Sequence, residues 1–256
     1  MQKEEVWRLL DLEYDSAFRN LTVEEAIAAS VGKGTAPNTV RFWRNANAVV
    51  VGRFQSVTQE VNVEACRHYG TVVVRRFTGG GAVYHDKGNL NYAIAVQRNH
   101  RLVTNDLSET FKILSLAVAA GLESLGVRVE YERPNTLQIG GRKIGGAAGA
   151  VRQGFVFYHG SILVDTDLDV LSEVLNSTVR TLMKGSVRSI RKEVTNLSRE
   201  VAKNLTIDEV KNALRREFQR AFNIRLIDGS LTGEEKIMSD RLFVEKYSQE
   251  TWNFKK

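Results

Sequence analysis

The sequence predicts an α+β fold, because strands and helices follow one another without the regular alternation of a parallel βαβ sheet. Two observations support this class. Runs of β-branched and aromatic residues recur through the first two thirds of the chain, and several are joined by glycine or asparagine turns instead of helices. Residues 105–125, in contrast, repeat apolar side chains every three or four positions, which is typical of an amphipathic helix.

The first 100 residues are expected to form a mixture of strands and short helices. Strands are predicted at residues 6–12, 39–43, 48–54, 71–76 and 89–97, and helices at residues 15–30 and 62–68. Asn45-Ala46-Asn47 separates the second strand from the third, so these two strands are expected to pair as a hairpin. Asn62 is a candidate N-cap of the second helix, and Gly70 is expected to end it.

The second half of the chain continues the same mixture. Besides the helix over residues 105–125, strands are predicted at residues 127–131, 136–139, 142–152, 155–164 and 223–227, and helices at residues 168–175, 206–222 and 234–247. Glycine turns are expected at Gly140-Gly141 and near Gly154. Thr206 and Glu209 have the spacing of a capping box at the start of their helix.

The composition is that of an ordinary globular protein. The chain has 256 residues, of which 43% are apolar and 26% charged, and it is expected to form a single domain over residues 1–256. Its one cysteine, Cys66, excludes an intramolecular disulfide and predicts a reducing, cytoplasmic location. Acidic residues near the N-terminus and the lack of a long apolar run argue against export and membrane insertion.

The charge and the missing motifs narrow the function classes. A net charge of +6 favours an acidic partner or a phosphate-bearing ligand, although a solvated basic surface would explain it equally well. No basic patch interleaved with aromatic residues supports a nucleic-acid partner. The sequence has no Walker A loop, no G-x-G-x-x-G and no H-E-x-x-H, and its four histidines are scattered, so no metal-ligating residues are predicted.

Three consecutive glycines, Gly79 to Gly81, follow a predicted strand that ends in Arg75 and Arg76. Such a loop lets the backbone approach a ligand and present N–H groups to anionic oxygens, and an adjacent guanidinium can bind phosphate through two hydrogen bonds. The segment therefore indicates an anion-binding loop. Taken alone, it is also compatible with a flexible hairpin that carries surface arginines.

Lys143 lies in a second glycine-rich segment, residues 140–150. Small residues on both sides leave room for its ammonium group to extend into a cavity, where it would need an anion. The alternative is a lysine on a solvated strand edge. Because one chain contains both segments, a functional interpretation is favoured over either alternative.

Together the two segments resemble the lipoate-protein ligase A family, whose superfamily also contains biotin protein ligases and octanoyl transferases. The matching elements, which cover most of residues 10–200, are residues 75–91 (RRFTGGGAVYHDKGNLN), 133–135 (RPN), 141–146 (GRKIGG), 159–160 (HG) and 194–197 (VTNL). The resemblance implies a biotin/lipoate ligase-like catalytic domain, with mixed and antiparallel sheets flanked by helices. The final residues 247–253 resemble the short archaeal-type members, which lack a C-terminal accessory domain.

The reaction implied by the resemblance has two steps. Lipoate and ATP form lipoyl-AMP and pyrophosphate, and a lysine of a carrier domain then attacks the activated carbonyl to give an amide. The implied carriers are apo lipoyl domains of 2-oxoacid dehydrogenase E2 subunits and the glycine cleavage H protein. ATP, Mg²⁺ and lipoate are the implied ligands, with Mg²⁺ arriving on the polyphosphate, and a small separate accessory subunit is an expected partner.

The resemblance also implies roles for individual residues. Lys143 is the expected catalytic residue, because its ammonium would face the α-phosphate and the acyl oxygen as negative charge builds up there. Arg76 and the backbone of residues 79–83 are expected to bind the nucleotide phosphates. The residues assigned to ligand binding are Arg76, Gly79, Gly80, Gly81, Ala82, Val83, Tyr84, His85, Asn135, Lys143, Gly146, His159 and Gly160.

Within that set, Tyr84, His85 and Asn135 are expected to line the adenylate region, and His159 with Gly160 the acyl pocket or its dithiolane end. One departure from the family pattern concerns the element that is often R-N-D. It is Arg-Pro-Asn at residues 133–135, so the acidic residue at its end is missing. A metal or ribose contact at that position is therefore not carried over to this chain.

The alternative function is an octanoyl or lipoyl transferase of the same fold, which uses a cysteine thioester and no ATP. Such transferases have their cysteine after the lysine segment, whereas Cys66 precedes the glycine loop and has apolar neighbours, which predicts a core residue. A non-enzymatic binding module for an acidic partner would explain only the charge. The basic run from Arg180 to Lys192 is either a solvated face or a surface that attracts acidic carrier domains.

Overall fold

Eleven strands form within the residues that the structure, a computed structural model, describes: 4–176, 192–202 and 204–255. They are β1 Glu5–Asp11, β2 Thr39–Trp43, β3 Asn47–Val51, β4 Val72–Arg75, β5 Val83–Asp86, β6 Asn89–Gln97, β7 Glu130–Glu132, β8 Thr136–Ile139, β9 Arg142–Arg152, β10 Phe155–Leu163 and β11 Ile224–Asp228. The larger sheet has the order β11-β1-β2-β6-β10-β9-β8-β7, and the smaller has the order β4-β3-β5.

Both sheets contain parallel and antiparallel neighbours. In the larger sheet, β1 is parallel to both β2 and β11, and the strands from β2 to β7 pair in antiparallel fashion. In the smaller sheet, β3 is parallel to β4 and antiparallel to β5. This arrangement confirms the predicted α+β class with mixed sheets.

The predicted hairpin between β2 and β3 is wrong, although both strands exist. β2 pairs with β1 and β6 in the larger sheet, whereas β3 is the central strand of the smaller one. The physical reason lies in Asn45, which is fully buried instead of forming an exposed turn. Its Oδ1 accepts a hydrogen bond from Asn20 Nδ2 at 2.9 Å, so the connection is anchored in the interior as it passes between the sheets.

Nine α-helices are found among the described residues. They are α1 Ala17–Lys33, α2 Val57–Glu60, α3 Val63–His68, α4 Leu107–Glu123, α5 Leu168–Val174, α6 Leu197–Glu200, α7 Ile207–Phe222, α8 Gly233–Leu242 and α9 Glu250–Asn253. The sequence signals for their ends are confirmed in α3 and α7. Asn62 Oδ1 accepts from Ala65 N, and Thr206 with Glu209 forms both hydrogen bonds of a capping box.

The helices cover the two faces of the larger sheet. On one face, α4 and α7 pack on an apolar core that includes Phe42, Tyr92 and Phe218. On the other face, α1 packs against β6 and β10, where Ile27 and Phe157 belong to a second apolar cluster. β6 is therefore buried on both faces.

The helix predicted over residues 234–247 is present, but only its first part, α8, is α-helical. It starts at Gly233, keeps α-helical geometry to Leu242 and continues as one π-helical turn over Phe243–Tyr247. At the end of this turn, Tyr247 is fully buried, and its hydroxyl donates to Glu25 Oε2 at 2.6 Å. This contact ties the end of the helix to α1.

Candidate active site

A cavity of about 490 Å³ lies between the two sheets. On the side of the larger sheet, it follows a row of paired residues, one from each of five neighbouring strands. This cross-strand row consists of Trp43, Asn91, Ser161, Gly146 and Thr136, and all five line the cavity. Because neighbouring strands lie about 4.8 Å apart, the row spans about 19 Å. We call its ends the tryptophan end and the lysine end.

The smaller sheet and its glycine loop form the opposite wall. Val50 of β3 and Val83 of β5 are paired across that sheet and both line the cavity. His85, two residues further along β5, lies on the same face as Val83. Its ring centroid is 5.9 Å from that of Trp43, so His85 lies at the tryptophan end.

Lys143 defines the lysine end. Its backbone is held by a neighbouring segment, because Lys143 N donates to Glu193 O at 2.8 Å and Lys143 O accepts from Thr195 N at 3.0 Å. The ammonium lies over Gly146, where a Cβ atom would be 3.1 Å from Nζ. The sequence prediction that small residues leave room for this side chain in a cavity therefore agrees with its position.

The surroundings of Lys143 favour an anion. Among the described residues, none forms an ion pair or hydrogen bond with Lys143 Nζ. Burial lowers the pKa of Lys143, the cations Lys192 and Arg76 lower it further, and Glu132 opposes them. Glu132 itself is paired with the ammonium of Lys192. A bound carboxylate or phosphate would thus be attracted to an ammonium that the described residues leave without a counter-charge.

Arg76 binds the glycine loop itself. Its Nη2 donates to Gly79 O at 2.6 Å and to Gly81 O at 2.8 Å, its Nε donates to Thr78 Oγ1 at 3.0 Å, and its Nη1 donates to Val50 O at 3.1 Å. These contacts use the guanidinium to hold the loop carbonyls together, and Arg76, which we expect to bind nucleotide phosphates, also lines the cavity. Arg76 therefore shapes the loop that lines the cavity.

Arg75 points away from the cavity. Its guanidinium is fully buried and donates to backbone carbonyls on two segments. The acceptors within 3.1 Å are Gly52 O, Gln55 O, Trp252 O, Asn253 O and Lys255 O. Trp252 Nε1 in turn donates to Arg75 O at 2.9 Å. Arg75 therefore anchors the C-terminal helix α9 beside the glycine loop, and it was not among the residues assigned to ligand binding.

His159 belongs to a buried chain of hydrogen bonds. Its Nδ1 donates to the carboxylate of Glu24 at 3.0 Å, and its Nε2 lies 2.7 Å from Thr78 Oγ1. Glu24, which has no exposed surface, also accepts from Trp43 Nε1 at 3.2 Å. With Arg76, these residues form what we call the histidine relay, which joins the glycine loop, α1 and both sheets.

The structure brings most of the predicted ligand-binding residues to one cavity. Those that line it are Arg76, Gly81, Ala82, Val83, His85, Asn135, Lys143, Gly146, His159 and Gly160. Gly79, Gly80 and Tyr84 do not line it. The Tyr84 side chain lies on the other face of β5, packed in an apolar cluster with Val49 and Cys66, where burial raises the pKa of its hydroxyl to about 12.

Sequence reasoning missed several residues that shape the site. Glu24 gave a usable signal, because it lies in the apolar stripe of α1 that includes Leu21, Ala28 and Val31. Trp43 and Asn91 gave none, since only the pairing of β2 with β6 brings them together. Only one residue of the basic run from Arg180 to Lys192 that we singled out lies among the described residues. Lys192 lines the cavity, but Arg180, Lys184, Arg188 and Arg191 lie outside the described residues.

Gly52 was also missed, and it explains how the glycine loop folds back on β3. A Cβ atom at this position would lie 2.1 Å from Gly80 O, so only glycine allows the approach. Gly80 has a φ angle of +88°, in the left-handed region that favours glycine. The shape of the loop therefore depends on glycine at both positions.

Metal-ligating side chains do not cluster in the described part of the cavity. Among the described residues, no three histidine, cysteine or carboxylate side chains come close enough to hold a metal ion. Glu132 is the one carboxylate in the described lining, and it is paired with Lys192.

In the part of the chain that the structure covers, no helix has the length and apolar character needed to cross a membrane.

Comparison with known proteins agrees with this geometry. The family model described as the lipoyl protein ligase A/B catalytic domain matches residues 16–219, which include both glycine-rich segments and the histidine relay. The chain belongs to this family. Members of the lipoyl protein ligase A/B family differ in the reaction they catalyse, and the relatives of this chain include two kinds of enzyme.

Two relatives represent these kinds. The lipoate-protein ligase A subunit 1 of Thermoplasma acidophilum is 35% identical, with 96% of this chain and 95% of the relative covered. The octanoyltransferase LipM of Geobacillus kaustophilus is 30% identical, with 98% of this chain and 99% of the relative covered. Full-length similarity to both shows an enzyme of the lipoate ligase and transferase family, without deciding between ATP-dependent ligation and acyl transfer.

Solved structures share the fold over nearly the whole chain. A lipoate-protein ligase from T. acidophilum with bound lipoic acid has a TM-score of 0.84 at 34% identity, covering 96% of this chain and 98% of its own. A lipoate-protein ligase A bound with ATP has the same TM-score at 35% identity and the same coverage. The bipartite ligase of T. acidophilum, described with its E2 lipoyl domain, has a TM-score of 0.85 at 35% identity, covering 98% and 96%.

Proposed function

We propose that this protein is an ATP-dependent lipoate-protein ligase, which converts lipoate to lipoyl-AMP and transfers the lipoyl group to a lysine of a lipoyl domain. The observation that carries the proposal is the Lys143 ammonium, which has no counter-charge among the described residues and lies at one end of a cavity long enough for an acyl chain. Lipoic acid and ATP bound to similar ligases support the choice of substrates.

In the first step, a carboxylate oxygen of lipoate attacks the α-phosphorus of ATP, and the bond to pyrophosphate breaks. Both reactants are anions, so their approach is opposed by charge repulsion. Lys143 at the lysine end reduces this repulsion, and the bound anions in turn keep its ammonium protonated. Lys192 adds a second cation on the same side of the cavity.

In the second step, the amine of the carrier lysine attacks the acyl carbonyl carbon, AMP leaves, and the amine loses a proton as the amide forms. Negative charge grows on the carbonyl oxygen during the attack. Lys143 again supplies the positive charge that stabilises this oxygen, and its backbone is held by hydrogen bonds to residues 193–195. One side chain thus serves both steps.

The octanoyltransferase alternative requires a nucleophilic cysteine. The sequence contains one cysteine, Cys66, which is 2% exposed and does not line the cavity. It packs with Val49 and Tyr84 behind the smaller sheet, and burial raises the pKa of its thiol. These properties make Cys66 a core residue and favour the ligase over a cysteine-dependent transferase.

The partners we propose follow from the ligase assignment. The T. acidophilum ligase is bipartite and is described with its E2 lipoyl domain. We therefore propose that this chain is the single catalytic domain of a two-subunit ligase, that a small accessory subunit supports adenylation, and that apo E2 lipoyl domains and the H protein are carriers. Mg²⁺ would enter on ATP, since the described cavity offers no carboxylate cluster to hold it.

Intact-mass analysis of an apo lipoyl domain incubated with the protein tests the assignment. With ATP and lipoate, and with the candidate accessory subunit present, the domain should gain one lipoyl group. Without ATP, no modification is expected. Transfer of an octanoyl group from an octanoyl carrier protein to the lipoyl domain in the absence of ATP would instead establish the transferase and overturn the ligase proposal.

A further inference from the structure

Two buried donors at the tryptophan end have no hydrogen-bond partner among the described residues. They are His85 Nε2 and Asn91 Nδ2, which belong to side chains that are 5% and 2% exposed. Both residues line the cavity, from opposite walls. Because a buried donor without an acceptor is unfavourable, their shared position points to a ligand atom that accepts hydrogen bonds.

The proton on His85 is assigned by a chain of polar side chains that starts at Arg41. Arg41 Nη2, which can only donate, donates to Asn20 Oδ1 at 2.9 Å, so the Asn20 amide nitrogen must face the other way. Asn20 Nδ2 donates to Asn45 Oδ1 at 2.9 Å, and Asn45 Nδ2 lies 3.3 Å from His85 Nδ1. Each bond in this asparagine relay fixes the orientation of the next amide.

The relay leaves His85 with one possible role in its neutral form. Nδ1 accepts from Asn45, so the ring proton is on Nε2 and makes that atom a donor. The imidazole stays neutral, because burial and the nearby Arg76 and His159 lower the pKa of His85 to about 3. His85 therefore presents a neutral N–H group rather than a cation.

Asn91 presents its amide nitrogen at the same end. Its Oδ1 accepts from Asn89 Nδ2 at 3.0 Å, and its Nδ2 has no partner among the described residues. Asn91 is the Cα partner of Trp43, and Trp43 is in edge contact with His85. Both donors therefore belong to residues that neighbour the same tryptophan.

The distance from Lys143 identifies which part of a substrate would reach these donors. Asn91 is two strands away from Gly146 along the cross-strand row, which is about 10 Å. With carbon–carbon bonds of about 1.5 Å, an extended eight-carbon acyl chain measures about 9 Å. A substrate with its carboxylate at Lys143 thus brings the far end of its chain to the tryptophan end.

We propose that His85 Nε2–H and Asn91 Nδ2–H bind the dithiolane sulfurs of lipoate and so make the cavity prefer lipoate over octanoate. This inference rests on the proposed function, and it names the residues that choose between the two acyl chains. A divalent sulfur accepts weak hydrogen bonds, whereas the terminal methyl of octanoate accepts none and leaves both donors unpaired. Sites with such donors discriminate against the analogue that lacks the acceptor.

Calorimetric titration of the unmodified protein with three acids distinguishes the contribution of the sulfur atoms to affinity from that of the ring shape. The acids are lipoate, octanoate and 5-cyclopentylpentanoate, which keeps a five-membered ring but has no sulfur. We expect lipoate to bind about 3- to 10-fold more tightly than the cyclopentyl acid, because the two differ in hydrogen-bond acceptors more than in size. Equal affinities for these two acids would overturn the inference.

Substitution of the donor provides the second arm. Asn91→Leu, which has a similar volume and no donor, should reduce the lipoate preference over the cyclopentyl acid to about 2-fold or less. Thr166→Val is the matched control, because Thr166 also has a buried polar atom without a partner but does not line the cavity. It should keep the preference of the unmodified protein.

The outcomes distinguish this inference from the proposed function. If none of the three acids binds, the proposed ligase function fails along with it. If the acids bind but Asn91→Leu retains the full lipoate preference, only the role of the donor pair is wrong. If Asn91→Leu does not fold, the comparison of lipoate with the cyclopentyl acid on the unmodified protein still decides the inference.

Discussion

The histidine relay and the lysine end border the same cavity, but they differ in whether their polar groups are paired within the protein. In the relay, Arg76, His159 and Glu24 each have two or more hydrogen bonds to other parts of the protein. At the lysine end, no described residue pairs with Lys143 Nζ, and burial with two nearby cations lowers the pKa of Lys143. One region is satisfied without a ligand, and the other is not.

This difference indicates how the site divides its work. Paired buried groups are held in one geometry, so they define the shape of the cavity but have little capacity left to bind a substrate. An ammonium without a counter-charge has the reverse properties, because its most favourable partner is the anion that enters the cavity. Arg76 belongs to the paired region, because its guanidinium donates to the loop carbonyls of Gly79 and Gly81.

Lys143→Met is the strongest test of this division. Methionine keeps much of the side-chain length but removes the charge, so lipoyl-AMP formation should fall by about 10³-fold. Pyrophosphate release measures the first step, and transfer from preformed lipoyl-AMP measures the second. Lys87→Met is the control, because Lys87 is an exposed partner of Glu13 outside the cavity, and it should retain parental rates. Parental rates in Lys143→Met would contradict the mechanism.

Glu24→Gln tests the paired region. Glutamine keeps one acceptor oxygen but removes the negative charge and replaces the other oxygen, also 3.0 Å from His159 Nδ1, with an NH2 donor. We therefore expect the free energy of unfolding to fall by about 2 kcal/mol. Because His159 and Trp43 line the cavity, the Kd of lipoate should rise about 10-fold. Denaturant titration and calorimetry measure the two effects.

Glu25→Gln is the matched control for this change. Glu25 is the next residue of α1, but its carboxylate accepts from Lys246 and Tyr247 of the π-helical turn that follows α8. It should lose stability to a similar degree and keep its affinity for lipoate. If both variants weakened lipoate binding equally, the relay would have no special role in shaping the cavity.

How much the sequence could predict also differs between these regions. The lysine end was predictable, because Lys143 lies between glycines within one short segment that also carries the family resemblance. Ten of the eleven described strands, all except β5, and the longer helices were likewise predicted from local patterns, such as the capping box at Thr206. Local signals are sufficient where the residues that matter are neighbours in sequence.

The relay and the cross-strand row were not predictable in this way. Glu24 and His159 are 135 positions apart in the chain and meet only because α1 packs on β10. The contact between Trp43 and Asn91 depends on β2 joining the larger sheet, where the sequence instead predicted a hairpin with β3. Strand pairing between distant segments leaves no local pattern, so these parts of the site required the structure.

Gly146→Ala sharpens the comparison at the lysine end. A Cβ atom there would lie 3.1 Å from Lys143 Nζ, so the ammonium must shift by a few tenths of an ångström. Because no described residue holds Nζ in place, the side chain can move, and we expect about a 10-fold lower kcat without a large loss of stability. Gly233→Ala, at a position with open space, should leave kcat unchanged. Equal kcat values for the two variants would show that the position of Nζ is not critical.

Cys66→Ala gives the smallest effect, and it separates core packing from chemistry. Cys66 lies in an apolar cluster behind Tyr84, so its truncation should lower the free energy of unfolding by about 1 kcal/mol and change the lipoylation rate less than twofold. A large loss of lipoylation in a variant that still folds would mean that a thioester forms at this thiol. The buried cluster would then have to open during the reaction, and the cationic lysine end would serve a transferase instead of a ligase.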